Sequence, residues 1–232
     1  MISFIIPAYD EARLIGATLV SIQAAADALG LAHECIVVDD ASGDDTAAIA
    51  RDLGARVVRV EYRHIAATRN AGARAARGQR LFFVDADTQV DVELVRAALR
   101  ALDAGAVGGG CTVRLHGPLA WHERLAAAAA VAALRLARIA PGCFQFCTRA
   151  AFEATGGYDE RWFAAEDIVM SRALARVGRF VLLRNAVHTS SRKLHTFSPR
   201  EHGRLLWHFL RHGRAMLRSR DRLALWYEKR RH

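Results

Sequence analysis

Two carboxylates one residue apart, Asp85 and Asp87, close the apolar run Leu81-Phe82-Phe83-Val84. A buried strand that ends in Asp-Ala-Asp delivers its acids to the carboxyl edge of a sheet, where ligands of open α/β folds bind. Two hard oxygen donors at that edge suit a magnesium or manganese ion that carries a phosphate-bearing ligand. The plainer alternative is a pair of strand-end acids that only cap the next turn.

Other residue groups could take part in the same chemistry. The segment Pro7-Ala8-Tyr9-Asp10-Glu11 follows the first apolar run. Pro7 is expected to stop that strand and Tyr9 to land at the sheet edge, either stacking on a base or packing its ring on the sheet. The run Val37-Val38 ends in Asp39-Asp40. Either acid can accept from a base N–H or from ribose hydroxyls, while Asp44, Asp45 and Thr46 suit a helix cap. Arg69-Asn70-Ala71-Gly72 lies in a helical stretch. Further on come Gly156-Gly157-Tyr158-Asp159-Glu160 and then Ala165-Glu166-Asp167. Asp167 can take a proton from an attacking hydroxyl, or it can cap the helix that follows. His188 is an acceptable imidazole ligand for a manganese-like ion or a surface residue. Arg192 and Lys193 can hold a departing pyrophosphate.

The elements that must position these groups follow from apolar periodicity. Strands are expected over 2–7, 35–38, 57–62 and 81–84, and helices over 11–29, 45–53, 66–77 and 92–102. Gly78 is expected as the C-cap of the third helix. This alternation means a mostly parallel α/β sheet with helices on both faces. The rhythm then changes: a strand over 107–115, a long helix over 118–139, an extended piece over 144–148, helices over 149–155 and 168–177, and a last strand over 180–183.

The strand ends, the Arg69-Asn70-Ala71-Gly72 helix, the Gly-Gly-Tyr-Asp segment and the Glu-Asp helix start stand in an order that resembles glycosyltransferase family 2, over roughly residues 2–190. The resemblance implies a GT-A-type fold with a nucleotide-sugar-binding half (1–103), an acceptor half (104–195) and a basic helical tail (196–232). It implies an inverting, metal-dependent transfer of a sugar from a nucleotide diphosphate donor, a UDP- or GDP-sugar, to an acceptor hydroxyl. Under it Tyr9 and Asp40 are base contacts, with Pro7, Glu11 and Asp39 nearby. Arg69, Asp85, Ala86 and Arg192 are on the donor side. Asp87 is the direct metal ligand, with Asp85 and His188 beside it, and Asp167 is the general base. The cofactor implied is Mn2+ or Mg2+.

Bulk properties narrow the alternatives. The chain has 232 residues, 52% hydrophobic and 25% charged, enough for one sizeable core. Its net charge of +9 is concentrated at the end, since residues 200–232 hold ten Arg/Lys against three Asp/Glu, a net of +7. The remainder is close to neutral, which argues against a nucleic-acid partner. Residues 204–218 form an amphipathic pattern with Leu205, Leu206, Phe209 and Leu210 opposite Arg204, Arg211, Arg214 and Arg218. Such a stretch can lie on an anionic membrane surface, pack on its own domain, or join a homodimer. No apolar run is long enough to span a bilayer and no signal-peptide pattern opens the chain. The four cysteines lack zinc spacing and read as reduced thiols of a cytoplasmic protein, peripheral on the membrane if the tail binds there. A sugar-phosphate nucleotidylyltransferase would open with a Gly-rich basic loop where this chain has Asp10-Glu11. A non-catalytic nucleotide-sugar-binding domain of the same fold is the remaining rival. No Gly-x-Gly-x-x-Gly supports a dinucleotide oxidoreductase.

Overall fold

A computed structural model of the chain describes residues 1–116, 139–190 and 217–219, with the side chains of 113–116 and 188–190 outside that description. Its elements are β1 (Ile2–Ala8), α1 (Ile15–Ala28), β2 (His33–Asp40), α2 (Thr46–Asp52), β3 (Arg56–Val60), α3 (Ile65–Ala75), β4 (Arg80–Val84), β5 (Thr88–Gln89), α4 (Val92–Asp103), β6 (Gly108–His116), β7 (Phe144–Thr148), α5 (Arg149–Thr155), α6 (Glu166–Val177) and β8 (Phe180–Ser190). The long helix expected over 118–139 and most of the tail lie outside the described residues.

The strands form one sheet in the order β3-β2-β1-β4-β7-β6-β8-β5. The β3-β2-β1-β4 side is parallel throughout. β7 then runs antiparallel to both β4 and β6, and β6 pairs with β8 in parallel. This is the expected mostly parallel α/β sheet flanked by helices. The antiparallel β7 is where the alternating βα rhythm ends.

Both faces of the sheet are covered, so its central strands are apolar at nearly every position. Along β1 and β4, Phe4, Ile6, Phe82 and Val84 point into a core closed by α1 and α4. Their neighbours Ile5, Leu81 and Phe83 point into a second core with residues of α3, α5 and α6. Alternation of side chains along a strand fills both layers.

Several boundaries differ from expectation; β8 runs on to Ser190 instead of ending at 183 because it pairs along β6, and two further differences have a packing reason. Pro7 does not end β1, which continues through Ala8 and pairs Pro7 with Val38 and Ala8 with Asp39. Pairing with β4 stops at Ile5, so a residue without an N–H interrupts no ladder on that side. Gly78 is not the C-cap of α3; that residue is Ala76, in extended conformation. Gly78 is small because the chain there runs against β1. A Cβ would stand 2.8 Å from Ser3 N and 2.9 Å from Ile2 C.

Candidate functional site

The acid pair sits where the apolar strand predicts. β4 ends at Val84, and the Asp85 amide extends the ladder by donating to Cys143 O (3.2 Å). A turn follows, closed by Thr88 N donating to Asp85 O (3.0 Å). Asp85 is partly exposed and Asp87 is buried at 9% exposure. Ala86, between them, is buried and its carbonyl accepts from Thr18 Oγ1 of α1 (2.8 Å). Immediately after Asp87, β5 pairs antiparallel with β8, Thr88 opposite Thr189 and Gln89 opposite His188. The register therefore brings the His188 backbone beside the strand that Asp87 opens. Arg192 lies outside the described residues.

Arg69 is the centre of the site. It is 2% exposed. Nη2 donates to Asp85 Oδ1 (2.8 Å) and to Gly142 O (3.1 Å), and Nη1 donates to Glu166 Oε1 (2.7 Å). The guanidinium also lies over the Tyr158 ring, 5.3 Å from its centroid. The resemblance makes Arg69 a donor contact, whereas the geometry spends its terminal nitrogens on protein acids. A planar fork suits this two-sided grip. Burial disfavours its charge, but Asp85, Tyr158, Glu166 and Asp167 outweigh that and hold it protonated.

The next residues of the same helix work similarly. Asn70 Nδ2 donates to Tyr158 O (2.9 Å) and Glu160 Oε1 (2.8 Å), while its Oδ1 accepts from Tyr158 N (2.9 Å). It clamps the turn at Gly156 and Gly157, both at positive φ (76° and 81°). Gly72 lets α3 lie on the sheet, since a Cβ would stand 2.3 Å from Ile5 Cγ2 and 2.8 Å from Val38 Cγ2. The Arg-Asn-Ala-Gly segment is thus a staple between distant parts of the chain.

Helix α6 starts at Glu166, two residues before the expected boundary, so both acids stand in its first turn. Acids there complement the helix dipole. The N-cap is Ala165, at φ 64° and without a side-chain cap. Asp167 Oδ1 accepts from Ile168 N (2.8 Å) and Oδ2 from Gly142 N (2.7 Å). Gln145 on β7 secures the same turn. It donates to Asp167 O, Ala140 O and Ser171 Oγ (3.1 Å each) and accepts from the Tyr158 hydroxyl (2.8 Å). Burial raises the carboxyl pKa of both Glu166 and Asp167; Arg69 opposes the shift in each. Asp85 adds to the shift at Asp167, and Asp167 adds to it at Glu166.

The residues expected around the base divide. Asp40 is spent on its own protein. Its Oδ1 accepts from Tyr62 N (2.6 Å) and Arg63 N (2.9 Å), and Oδ2 from His64 N (3.2 Å) and Thr68 Oγ1 (2.9 Å). It fastens the loop entering α3 to the end of β2. Asp39 is fully buried, accepts from Ser42 N (3.2 Å) and lies 3.3 Å from Arg59 Nε. The Arg63 guanidinium covers one face of the Tyr9 ring, 3.7 Å from its centroid. The β1–α1 and β2–α2 loops are laced together. Asp10 N donates to Ser42 Oγ (3.0 Å), Glu11 N to Thr46 Oγ1 (2.8 Å) and Gly43 N to Asp10 Oδ1 (2.7 Å).

Arg63, His64, Gly142 and Gln145 were not singled out from the sequence. His64 caps α3 by accepting from Ala67 N (3.4 Å) and packs its ring 4.4 Å from that of Phe163. No local pattern marks Gly142 or Gln145, because their partners are remote in the chain.

The donor set fits a divalent cation. Asp85 and Asp87 offer hard oxygens at the end of one strand, and the register adds the position of an imidazole. Asp85, Glu166 and Asp167 surround a single guanidinium, which leaves an excess of negative charge when all are ionised. No group of three or more His, Cys, Asp or Glu side chains stands in metal-binding arrangement among the described residues.

A family model described as Glycosyl transferase family 2 matches residues 3–156, more than half of the chain. The chain belongs to that family. A curated relative is the undecaprenyl-phosphate 4-deoxy-4-formamido-L-arabinose transferase of Aeromonas hydrophila, 33% identical over an alignment of 138 residues that covers 54% of this chain and 40% of the relative. The enzyme of that name from Edwardsiella ictaluri is 32% identical over 137 residues, with the same coverage. The chain therefore spans less than half the length of these relatives. Among solved structures, the mannosyltransferase PcManGT from Pyrobaculum calidifontis, in complex with GDP-Man and Mn2+, superposes with a TM-score of 0.68 at 22% identity, covering 99% of this chain and 65% of that one. S. aureus TarS 1–349 in complex with UDP-GlcNAc gives 0.63 at 19% identity, over 82% and 58%. At these identities the likeness is one of GT-A fold. The family 2 match ends at Gly156, so Tyr158, Glu166 and Asp167 stand beyond it.

Proposed function

We propose that this family 2 chain is an inverting, metal-dependent glycosyltransferase that moves a sugar from a nucleotide diphosphate donor to an acceptor hydroxyl. The observation that carries this reading is the Arg69 bridge, with Asp85 on one prong and Glu166, next to Asp167, on the other. One rigid cation thereby joins the strand-end acids to the acid at a helix start.

Asp87 and Asp85 would hold the ion, with His188 as a further ligand, and the ion when bound neutralises charge on the departing diphosphate. Asp39 and Tyr9 lie at the ends of the neighbouring strands, where a base and ribose would sit, with Pro7 and Glu11 shaping that loop. Arg192 would face the pyrophosphate. The acceptor hydroxyl transfers its proton to Asp167 while its oxygen attacks the anomeric carbon. The anomeric C–O bond to the diphosphate breaks on the opposite side, and one displacement inverts the centre. Fixing Asp167 through Gly142 N and Ile168 N orients it for that proton.

The donor is a UDP- or GDP-sugar, in keeping with the ligands named for the two structural neighbours. A lipid-linked acceptor is in keeping with the undecaprenyl-phosphate transferases. The basic tail would then bring the enzyme to an anionic surface. Among the described residues no helix is long and apolar enough to cross a membrane.

Thermal unfolding with UDP, GDP, CDP and dTDP, in manganese and in EDTA, tests the donor site. One nucleotide is expected to stabilise the chain in manganese alone, by about 2.7 kcal/mol at 100-fold excess over Kd. Asp87→Ala is expected to abolish that gain. Equal stabilisation in EDTA would sink the metal assignment.

A further inference from the structure

Leu217 and Arg218 meet the loop that leads into α6. Leu217 O accepts from Phe163 N (2.9 Å) and Ala164 N (3.3 Å). The Arg218 guanidinium lies over the Trp162 ring, 4.5 Å from its centroid, and Trp162 is 8% exposed. These contacts cover three consecutive residues. The next residue is Ala165, held in the left-handed region at φ 64°, and it is followed at once by Glu166 and Asp167. A non-glycine residue keeps such a conformation only where its surroundings over-determine it. Here α6 has no side-chain cap, and the backbone immediately before it is pinned from outside the sheet. The same loop reaches the other half of the molecule, because the Phe163 ring packs on His64 at the start of α3.

We propose that Leu217 and Arg218 are positioning residues for turnover. They hold Trp162–Ala164 so that Ala165 turns the chain into α6 and Asp167 meets the acceptor hydroxyl. This rests on the reading of Asp167 as the base. The carbonyl of Leu217 supplies an acceptor that a mobile segment would leave to water. Arg218 locks that carbonyl in place by stacking on an indole, the strongest aromatic partner for a cation. The end of the chain, which carries most of the excess positive charge, thus contributes to the geometry of the reaction as well as to the surface.

The test uses the full chain with Arg218→Ala and Arg218→Lys, and Asp167→Asn as a reference. Amide exchange at Phe163 and Ala164 reads the contact itself. Manganese-dependent release of nucleotide from GDP-mannose and from UDP-N-acetylglucosamine reads turnover. Arg218→Ala is expected to lose protection at both amides and to lower kcat by ~10–100-fold, the scale of a small misplacement. KM for the nucleotide sugar should stay within about twofold, because the donor contacts of the Michaelis complex are untouched. Arg218→Lys keeps a cation over Trp162 and should recover most of both. Unchanged protection in Arg218→Ala overturns the proposal, and so does lost protection with unchanged kcat. Should Arg218→Ala fail to fold, Trp162→Phe, which retains an aromatic face, must show the same split in milder form or the proposal fails. Normal turnover by Asp167→Asn would remove the base assignment, while the exchange result still decides whether Leu217 and Arg218 hold the loop.

Discussion

The two edges of the candidate site are built in different ways. At the edge proposed for the donor, β1, β2 and β4 run parallel; Tyr9 and Asp85 each stand one residue past a strand end, and Asp39 is the last residue but one of β2. Position there is a local matter: an apolar run stops, and the next polar residue is at the edge. At the edge proposed for the acceptor, local contacts such as Ile168 N to Asp167 are joined by remote ones. Glu166 is held by Arg69, 97 residues earlier, Tyr158 by Asn70, 88 residues earlier, and Gly142 by Arg69 across 73 residues. α3 supplies these grips from the parallel part of the sheet. A helix that the resemblance places in the nucleotide site also fixes the other edge against it.

The comparison breaks most visibly at Arg69. Arg69→Met leaves Asp85 and Glu166 without their buried partner, which costs about 3–5 kcal/mol. For a chain of this size that is a fall in Tm of roughly 6–20 °C, at about 2–4 °C per kcal/mol. Arg69→Lys should recover little, because an ammonium cannot span both acids. Denaturant or thermal unfolding checks this. A loss below about 1 kcal/mol would mean that the bridge adds little to the fold and would leave Arg69 only the donor contact that the resemblance implies.

Asp167→Asn separates the two edges functionally. The amide keeps an oxygen for Gly142 N or Ile168 N, so the fold and the donor edge should persist. Turnover should fall at least ~100-fold, about 2.7 kcal/mol of transition-state stabilisation, while nucleotide affinity stays close to that of the parent. Titration of the nucleotide by calorimetry beside a turnover assay distinguishes the outcomes. Normal turnover makes Asp167 a helix-start acid and nothing more.

Legibility in the sequence follows the same division. The strand ends were readable because burial on both faces forces continuous apolar runs, and acids after them are conspicuous. Helix α5 and strand β7 matched their expected bounds, Arg149–Thr155 and Phe144–Thr148. Pro7 and Gly78 misled because each was read by intrinsic preference. In the sheet the first lacks only a bond that was not required, and the second is demanded by contact with β1. Asp40 was indistinguishable from Asp39 until the path of residues 62–64 was known. Gly142 could not be found at all. Its role is to let Arg69 and Asp167 approach, with a Cβ placed 3.0 Å from Arg69 Nη2 and 3.3 Å from Asp167 Cβ, and no sequence pattern records such a meeting.

The smallest effect is expected in the pH profile, where the two edges touch electrostatically. Burial raises the pKa of Asp167, and the nearby Asp85 charge adds to that, against the opposing pull of Arg69. A base must be deprotonated to work, so kcat/KM should rise with pH along an acid limb whose midpoint lies above the ordinary aspartate value of about 3.9. Asp85→Asn removes one of the raising charges, so its limb should move to lower pH. Stability has the opposite dependence. Glu166 and Asp167 bind protons more tightly in the folded chain than in the unfolded one. Their contribution is complete at low pH and is lost as pH climbs from the ordinary carboxylate range through the raised folded values. With Asp167 as the proposed base, activity should therefore rise over the same interval in which these two groups give up stability. Denaturation midpoints and kcat/KM measured across one pH series should move in opposite directions there. A limb at the ordinary aspartate value, with stability flat or rising across the interval, would mean that Asp167 is solvated and that the two edges do not share a field.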